Sequence, residues 1–315
     1  MFAIVLGAAF AAPPSLDELI KNVEARERKV RSAAVRVEID TERGRFGIGE
    51  ESRDSTSGRM AFTADGAYLY EAKWTKPIEA DVRRELPDSS PFKDRSSTTT
   101  QLTYSFDLKR TIRLETPESG SLNAWVCSGR FGVGDIDVFE LVYRGDASIK
   151  SASGYFKKAK WEPLLEDSKG MLVCISTAYS SPESPHFRSR YVFKVDPKRG
   201  WIVPERRQQW SDSNGPWTDS SASVWVESAE VAPGLWLPVA AENRMYESGR
   251  IMHRSKAILS DWKINVDIPH DSFKLTIPLG TSVLQVETGK RFEWTKETEE
   301  GQLPAIAPKG RRPKS

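Results

Sequence analysis

The side chains that most often carry chemistry are few and scattered in this chain. Its histidines, His186, His253 and His270, show neither the His-x-His nor the His-x-x-x-His spacing of a metal site. A zinc site needs three or four converging ligands, so we interpret them as ordinary surface histidines. We therefore expect no metal and no cofactor. The glycine motifs of serine hydrolases, phosphate loops and dinucleotide-binding folds are absent from the sequence.

Carboxylates and basic residues mostly alternate along strand-like segments, which is typical of solvent-facing positions. No local pattern favours a Ser-His-Asp triad or a glycosidase-like carboxylate pair. A hydrolase is thus the least favoured function, and we expect no enzyme. A polar cleft that brings together His270, Asp271 or paired carboxylates would instead favour a hydrolase.

Charge is nearly balanced over the whole sequence. The 46 Lys and Arg residues and 44 Asp and Glu residues leave a formal charge of +2, which argues against a nucleic-acid partner. Basic clusters such as Arg206-Arg207 and Arg311-Arg312 are short. The second of these is compatible with transient contact at an anionic membrane surface.

The cysteines, Cys127 and Cys174, leave two interpretations open. In an oxidising compartment they could form a disulfide, which would stabilise the fold by roughly 4 kcal/mol in the chain-entropy model. Both lie in apolar runs, so two buried free thiols are the alternative.

The N-terminus carries an uncharged apolar run over residues 2–12. Spanning a bilayer needs about 20 residues, so this run is too short and is instead typical of a secretory signal. Ala9-Phe10-Ala11 resembles a cleavage site, although no basic leader precedes the run. We expect a signal peptide over residues 1–12 and a periplasmic or secreted protein. A buried first strand is the alternative.

The next segment predicts a helix followed by a strand. Ser15 and Glu18 form a capping box, and apolar residues that include Leu19 and Val23 recur on one helical face. From residue 34 the apolar period changes to two, which is typical of a strand with one solvated face. Turn signals about every 8 to 12 residues then predict a mainly β chain of about eleven to thirteen antiparallel strands.

Composition divides the chain into one domain and its appendages. The strand pattern extends over residues 13–286, with insertions expected near 76–100 and 116–158, where proline, glycine and charge interrupt it. Residues 287–315 are dominated by charge, proline and glycine and predict a disordered tail.

Two segments of the second half repeat one another. Residues 200–205 and 234–239 each begin with glycine, continue through apolar residues and reach a proline. Glycine can turn the chain, and proline is tolerated at strand starts, edges and bulges. The repeat therefore predicts two hairpins of one antiparallel sheet.

Aromatic residues at alternate positions of the predicted strands form the candidate ligand cavity, with two residues of the predicted helix. The set is Tyr68, Tyr70, Tyr104, Phe106, Tyr191, Phe193, Leu19 and Val23. Plain core packing is the alternative, because apolar strand faces are usually packed.

These motifs in their order resemble the LolA/LolB-like superfamily of periplasmic lipoprotein carriers. The resemblance includes the helix and strand of residues 16–40, the Asp-Gly hairpin with its aromatic residues at 63–70, and segments 195–201, 234–238 and 273–281. The last three segments are similar to an uncharacterised bacterial branch, the outer-membrane lipoprotein-sorting-like proteins.

The resemblance implies a curved antiparallel sheet that forms an unclosed barrel, with the N-terminal helix and the mid-chain insertion over its concave side. It also implies a monomeric, non-enzymatic transport protein that carries a lipid or lipoprotein acyl chain in an apolar cavity beneath the helix and insertion. An envelope-stress sensor or protein-interaction domain, with an envelope protein as partner, is the alternative on the same fold.

Overall fold

The computed structural model describes residues 13–44, 51–78, 84, 90, 95, 97–118, 120, 122–129, 138–143, 151–179, 187–212, 215–247 and 250–299. The predicted signal peptide and residues 300–315 lie outside this part of the chain. No helix within it is both long and apolar enough to cross a membrane.

Strands far outnumber helices among the described residues. The helices are α1 (Leu16–Glu27), α2 (Val138–Tyr143), α3 (Ala152–Lys158) and α4 (Lys296–Glu299). The strands are β1 (Ser32–Gly44), β2 (Glu51–Thr63), β3 (Tyr68–Pro77), β4 (Ser97–Phe106), β5 (Arg110–Pro117), β6 (Asn123–Ser128), β7 (Leu165–Glu166), β8 (Leu172–Tyr179), β9 (Phe187–Asp196), β10 (Ile202–Asp212), β11 (Thr218–Ala232), β12 (Leu235–Glu247), β13 (Arg250–Ile264), β14 (Ser282–Gln285) and β15 (Lys290–Glu293).

The strands of the described residues form one unclosed sheet. Their order is β15-β14-β6-β5-β4-β3-β2-β1-β13-β12-β11-β10-β9-β8-β7. Two consecutive antiparallel runs, β1 to β6 and β7 to β13, therefore meet where β1 pairs with β13. The predicted unclosed antiparallel sheet is confirmed, with one parallel pairing between β14 and β6.

Irregular register allows so large a sheet to bend. Open sheets of more than about ten strands usually curl, and a bulge locally bends and twists its strand. Bulges or irregularities interrupt the pairing of β1 with β13, of β10 with both neighbours, and of β12 with both neighbours. They are concentrated in the half of the sheet that carries the groove described below.

Helix α1 begins where the sequence predicts. The Ser15 hydroxyl accepts a hydrogen bond from the Glu18 backbone N–H at 3.2 Å, which satisfies one of the donors left free at a helix start. Leu19 and Val23 are buried on its inner face against Phe156 of α3 and Phe193 of β9.

Helix α2 covers the neighbouring part of the same sheet face. Its Leu141 and Val142 belong to a core cluster that also contains Val37 of β1 and Leu259 of β13. Exposed Arg36, Glu38 and Asp40 alternate with the buried residues of β1, so one face of the sheet carries helices and the other carries charged side chains.

The two repeated segments lie side by side. Gly200 and Gly234 both have φ of 66°, a left-handed conformation that glycine adopts at little cost. A Cβ on Gly200 would lie 3.5 Å from Trp236 and 3.7 Å from the Gly234 carbonyl. The predicted successive hairpins are present: Gly200 precedes β10, and Gly234 lies in the turn from β11 to β12.

The ordered domain extends beyond residue 286, the end that the sequence predicts. Residues 287–299, assigned to a disordered tail, include β15 and α4, and Trp294 is only 1% exposed. Trp294 packs in a third core cluster with Ile112 and Val283. Local composition misled the prediction, because this segment is ordered by contacts with β5, β6 and β14, which are distant in sequence.

The predicted insertion at 116–158 also contains regular structure. Strand β6 pairs with β5 there, and α2 and α3 are short helices within it. The segment at 273–281 contains no strand: His270–Phe273 form a 3-10 turn, and residues 274–281 belong to no strand.

Candidate ligand-binding groove

The face of the sheet opposite α1, α2 and α3 carries a groove of about 750 Å³. Its lining comes from β1, β2 and β9 to β13, with Met171 just before β8. The lining residues are Glu38, Ile39, Asp40, Ser55, Thr56, Ser57, Met171, Lys194, Pro204, Glu205, Trp225, Val226, Glu227, Ala240, Ala241, Glu242, Lys256, Ala257 and Ile258.

Strand register places a continuous row of side chains along this groove. Asp40 is opposite Lys256, Lys256 is opposite Glu242, and Glu242 is opposite Trp225. The row continues from Trp225 to Glu205 and then to Lys194. It therefore crosses six strands on the face opposite the buried alternates of β1 and β13.

Apolar side chains occupy the space between these charges. Ile258 is 60% exposed although it stands on a strand, and it lies opposite Ala240 and Glu38. Trp225 is half-buried, with the Arg244 guanidinium 4.6 Å from its ring centroid. An exposed isoleucine and a half-buried indole in the same concavity give a ligand apolar surface to cover.

Two of the groove carboxylates, Glu242 and Glu205, are held in ion pairs. Arg254 donates to Glu242 at 2.7 and 3.3 Å, and Arg244 donates to the same carboxylate. Burial acts to raise the pKa of Glu242, but the hydrogen bonds and charges of these arginines outweigh it and hold that pKa below its ordinary value.

Glu205 is fixed in the same way, with Lys194 at 3.1 Å and Arg207 at 2.6 Å. A general acid needs a pKa near the working pH. Carboxylates that are paired with cations are therefore suited to shaping the groove rather than to proton transfer.

A second cavity, of about 520 Å³, adjoins the groove and shares Asp40 and Ser55 with it. Its lining is more polar: Asp40, Thr41, Glu42, Arg53, Asp54, Ser55, Thr75, Pro77 and Ser97. Thr41 of β1 and Asp54 of β2 are opposite one another and buried, so their side chains belong to the helix-covered face. The remaining polar side chains therefore stand on the face that carries the groove.

The eight residues predicted to line a ligand cavity lie instead in the packed cores on the helix-covered side. Tyr68, Tyr70, Tyr104 and Phe106 belong to the cluster beneath α2. Leu19, Val23, Phe193 and Tyr191 belong to the cluster beneath α1 and α3. The structure thus divides the set in two, and none of its members lines either cavity described above. Their role as ligand contacts stays a prediction.

A buried polar network joins the three helices over these cores. Arg26 of α1 donates to the Val142 carbonyl of α2, and the Tyr143 hydroxyl donates to the Val30 carbonyl at 2.5 Å. Glu27 of α1 accepts from Ser153 of α3, at 3.2 Å from the backbone N–H and 2.5 Å from the hydroxyl. Helix α1 is therefore tied to both α2 and α3 by buried hydrogen bonds, which fix their arrangement on the sheet.

The side chains named for a hydrolase do not converge on the groove. His270 lies 3.5 Å from Asp65, and both are exposed. Asp271 pairs with Lys274 at 2.6 Å. Among the described residues, no three His, Cys, Asp or Glu side chains are grouped so as to hold a metal ion.

Cys127 and Cys174 are both free and buried. Ten strands separate β6 from β8 in the sheet, so the disulfide is not formed, and the alternative of two buried thiols describes this structure. Burial raises the pKa of Cys174 to about 12, which leaves it an unreactive thiol near neutral pH.

No protein-family model matches the chain, and no curated protein matches it. Among solved structures it is similar to a proposed outer membrane lipoprotein-sorting protein domain from Vibrio parahaemolyticus. The TM-score is 0.40 and the identity 9%, with 82% of this chain and 97% of that chain covered. A DUF1329 family protein from Desulfovibrio piger has a TM-score of 0.39 and 9% identity, with coverage of 83% and 98%. A LolA superfamily protein from Nitrosomonas europaea has a TM-score of 0.35 and 11% identity, also with coverage of 83% and 98%.

The architecture predicted from the sequence, an unclosed antiparallel sheet with helices over one face, is present in this chain. All three TM-scores are below 0.5, so these structures do not indicate where this chain binds a ligand or which ligand it binds.

Sequence reasoning missed the groove, because its walls are built from positions that look solvated. One signal in the sequence could have indicated the groove: a large apolar residue on the strand face that otherwise carries charged side chains. Trp225 and Ile258 are such residues: Trp225 precedes Val226 and Glu227, and Ile258 follows Lys256 by two positions.

Proposed function

We propose that this chain is a non-enzymatic binding protein that holds a lipid-like ligand in the groove on the sheet face opposite α1, α2 and α3. The observation that carries the proposal is the groove itself, a volume of about 750 Å³ with exposed Ile258 and half-buried Trp225 on its floor. Small-molecule sites in proteins usually occupy concavities of about 300 to 1,000 Å³ that are mostly apolar with a few placed polar groups.

Burial of apolar surface is sufficient to supply affinity at such a site. Each methylene removed from water contributes about 0.8 kcal/mol. Ten methylenes would therefore contribute on the order of 8 kcal/mol before the entropic cost of association. No reacting group is required for this function, and the ion-paired Glu205 and Glu242 offer none poised to transfer a proton.

The sequence resemblance supports a proposal for the identity of the natural ligand and for the cellular location. It favours a lipoprotein acyl chain as the carried group and the periplasm, or the outside of the cell, as the place of action. The helix-covered face is the second location for the ligand, but entry there would have to displace Leu141 and Val142 of α2 or Leu19 and Val23 of α1 from the core. The groove needs no such displacement.

A titration with an uncharged apolar fluorescent probe, phenylnaphthylamine, tests the proposal. We expect saturable binding to the wild-type protein and at least tenfold weaker binding to Ile258→Asp, which puts a charge on the groove floor. Ile251→Asp is the matched control, because Ile251 lies on the same strand, is 47% exposed and does not line the groove.

Native mass spectrometry of protein purified from its own envelope provides the second measurement. A co-purified lipid or acylated peptide, lost in Ile258→Asp and retained in Ile251→Asp, is the expected result. Absence of probe binding together with repeated absence of a co-purified lipid would overturn the proposal. Binding that both variants reduce equally would move the ligand away from the groove.

A further inference from the structure

The second cavity is a polar continuation of the groove. The two share Asp40 on β1 and Ser55 on β2, residues that are opposite one another in the register. An elongated ligand can therefore extend from the apolar floor at Ile258 past Asp40 into the second cavity without leaving the sheet surface.

Each charged side chain on the groove side of this second cavity faces an opposite charge. Glu42 pairs with Arg53 at 3.5 Å, and Asp40 is directly opposite Lys256 in the register of β1 and β13. The carboxylate of Asp54 is bound by Arg43 and, as a buried alternate, faces the helix-covered side. A strongly anionic or cationic group would thus meet no unmatched opposite charge at this end of the groove.

Hydroxyl groups form the rest of the wall. Ser55, Thr75 and Ser97 line the cavity, and Ser55 is opposite Thr75 across β2 and β3. Within the residues that the structure describes, none of these three hydroxyls has a side-chain hydrogen-bond partner. Each can both donate and accept, which matches a group that does the same.

Resting on the function proposed above, we propose that the ligand is an amphiphile with an uncharged, hydroxyl-bearing head group. The head binds in the second cavity, against Ser55, Thr75 and Ser97, while the apolar body lies in the groove over Ile258 and Trp225. Asp40, at the junction, accepts a hydrogen bond from a head-group hydroxyl.

Displacement of bound phenylnaphthylamine by three amphiphiles with the same twelve-carbon chain tests this assignment. Dodecyl maltoside, dodecylphosphocholine and dodecyltrimethylammonium carry a polyhydroxyl, a zwitterionic and a cationic head, and each is used below its micellar concentration. We expect dodecyl maltoside to displace the probe at a concentration at least tenfold below the other two.

Removing the hydroxyls provides the structural control. The double variant Thr75→Val/Ser97→Ala, at two positions that line only the second cavity, should lose most of the tenfold preference and still bind the probe, which shows that it is folded. Thr116→Val deletes an exposed hydroxyl on β5 away from both cavities and should behave as wild type.

The outcomes separate this inference from the function on which it rests. Equal displacement by the three amphiphiles, or a preference for a charged head, would overturn the head-group assignment and leave lipid binding intact. A preference that survives in Thr75→Val/Ser97→Ala would also overturn it. Failure of all three amphiphiles to displace the probe would refute both proposals.

Discussion

Replacing Ser153 by alanine tests whether the helices are fixed on the sheet by a buried, charge-assisted hydrogen bond. Ser153 and Glu27 are 5% and 9% exposed, and the serine hydroxyl donates to the Glu27 carboxylate at 2.5 Å. A hydrogen bond to a charged group contributes about 1.5 to 3 kcal/mol, against about 0.5 to 1.5 kcal/mol for a neutral pair. We therefore expect Ser153→Ala to lower the free energy of unfolding by about 2 kcal/mol at pH 8.

The cost of this substitution should depend on pH. Burial raises the pKa of Glu27 above its ordinary value, against the hydrogen bonds of Ser153 and the charge of Arg26, which lower it. The folded state therefore binds a proton more readily than the unfolded state, and stability falls as pH rises from the ordinary pKa through the raised one. Removing Ser153 raises this pKa further, so the variant loses more stability than the wild type over the same rise.

Urea unfolding followed by circular dichroism at pH 5 and pH 8 measures the effect. Thr177→Val is the matched control, because Thr177 donates to Glu162 at 2.9 Å at an exposed position. That deletion should cost less than about 1 kcal/mol at both pH values, since exposed polar pairs contribute little. An equal cost of Ser153→Ala at pH 5 and pH 8, or a cost no larger than that of the control, would refute the reasoning.

Three further substitutions or treatments test the packing. Gly58→Ala should destabilise by about 1 to 3 kcal/mol, because a Cβ there would lie 2.3 Å from the Glu71 carbonyl oxygen. Gly44→Ala, whose Cβ would meet its nearest neighbour at 3.8 Å, should be nearly neutral when the two variants are compared by urea unfolding. Cys174, fully buried with a pKa of about 12, should resist iodoacetamide at pH 8 in native protein and react in urea, as peptide mass spectrometry can show. Trp294→Ala should cost about 3 to 5 kcal/mol by denaturant unfolding, whereas a disordered tail would tolerate it without effect.

Local patterns in the sequence predicted the parts of the fold that local contacts determine. The capping box at Ser15, the alternating strand after residue 34 and the Asp65-Gly66 turn are all present. Gly66 has φ of 102° in the turn between β2 and β3. Each of these features is decided within a few residues, so one sequence was enough to predict it.

Features that depend on distant partners could not be predicted in this way. The pairing of β14 with β6 joins Leu284 to Trp125, and no signal in either segment names the other. The candidate groove has the same origin, because the six side chains of its central row come from six strands. Each of these residues, taken alone, occupies a strand position that looks solvent-exposed. Only the register of the strands shows that the six lie side by side.

The pairing of β1 with β13 also determines the order in which the protein can be assembled. Neighbours within each run, such as β2 and β3, are hairpins that close short loops, but Ala33 pairs with Ile264, a separation of 231 residues. Contacts this distant in sequence slow folding, because the loop entropy is lost before the contact forms. Strands of the first run can pair with one another early, whereas the outer edge of β1 stays open until β13 is in place. An exposed edge strand is a site for pairing with other chains, so the interval before this closure is when the folding chain is most open to intermolecular pairing.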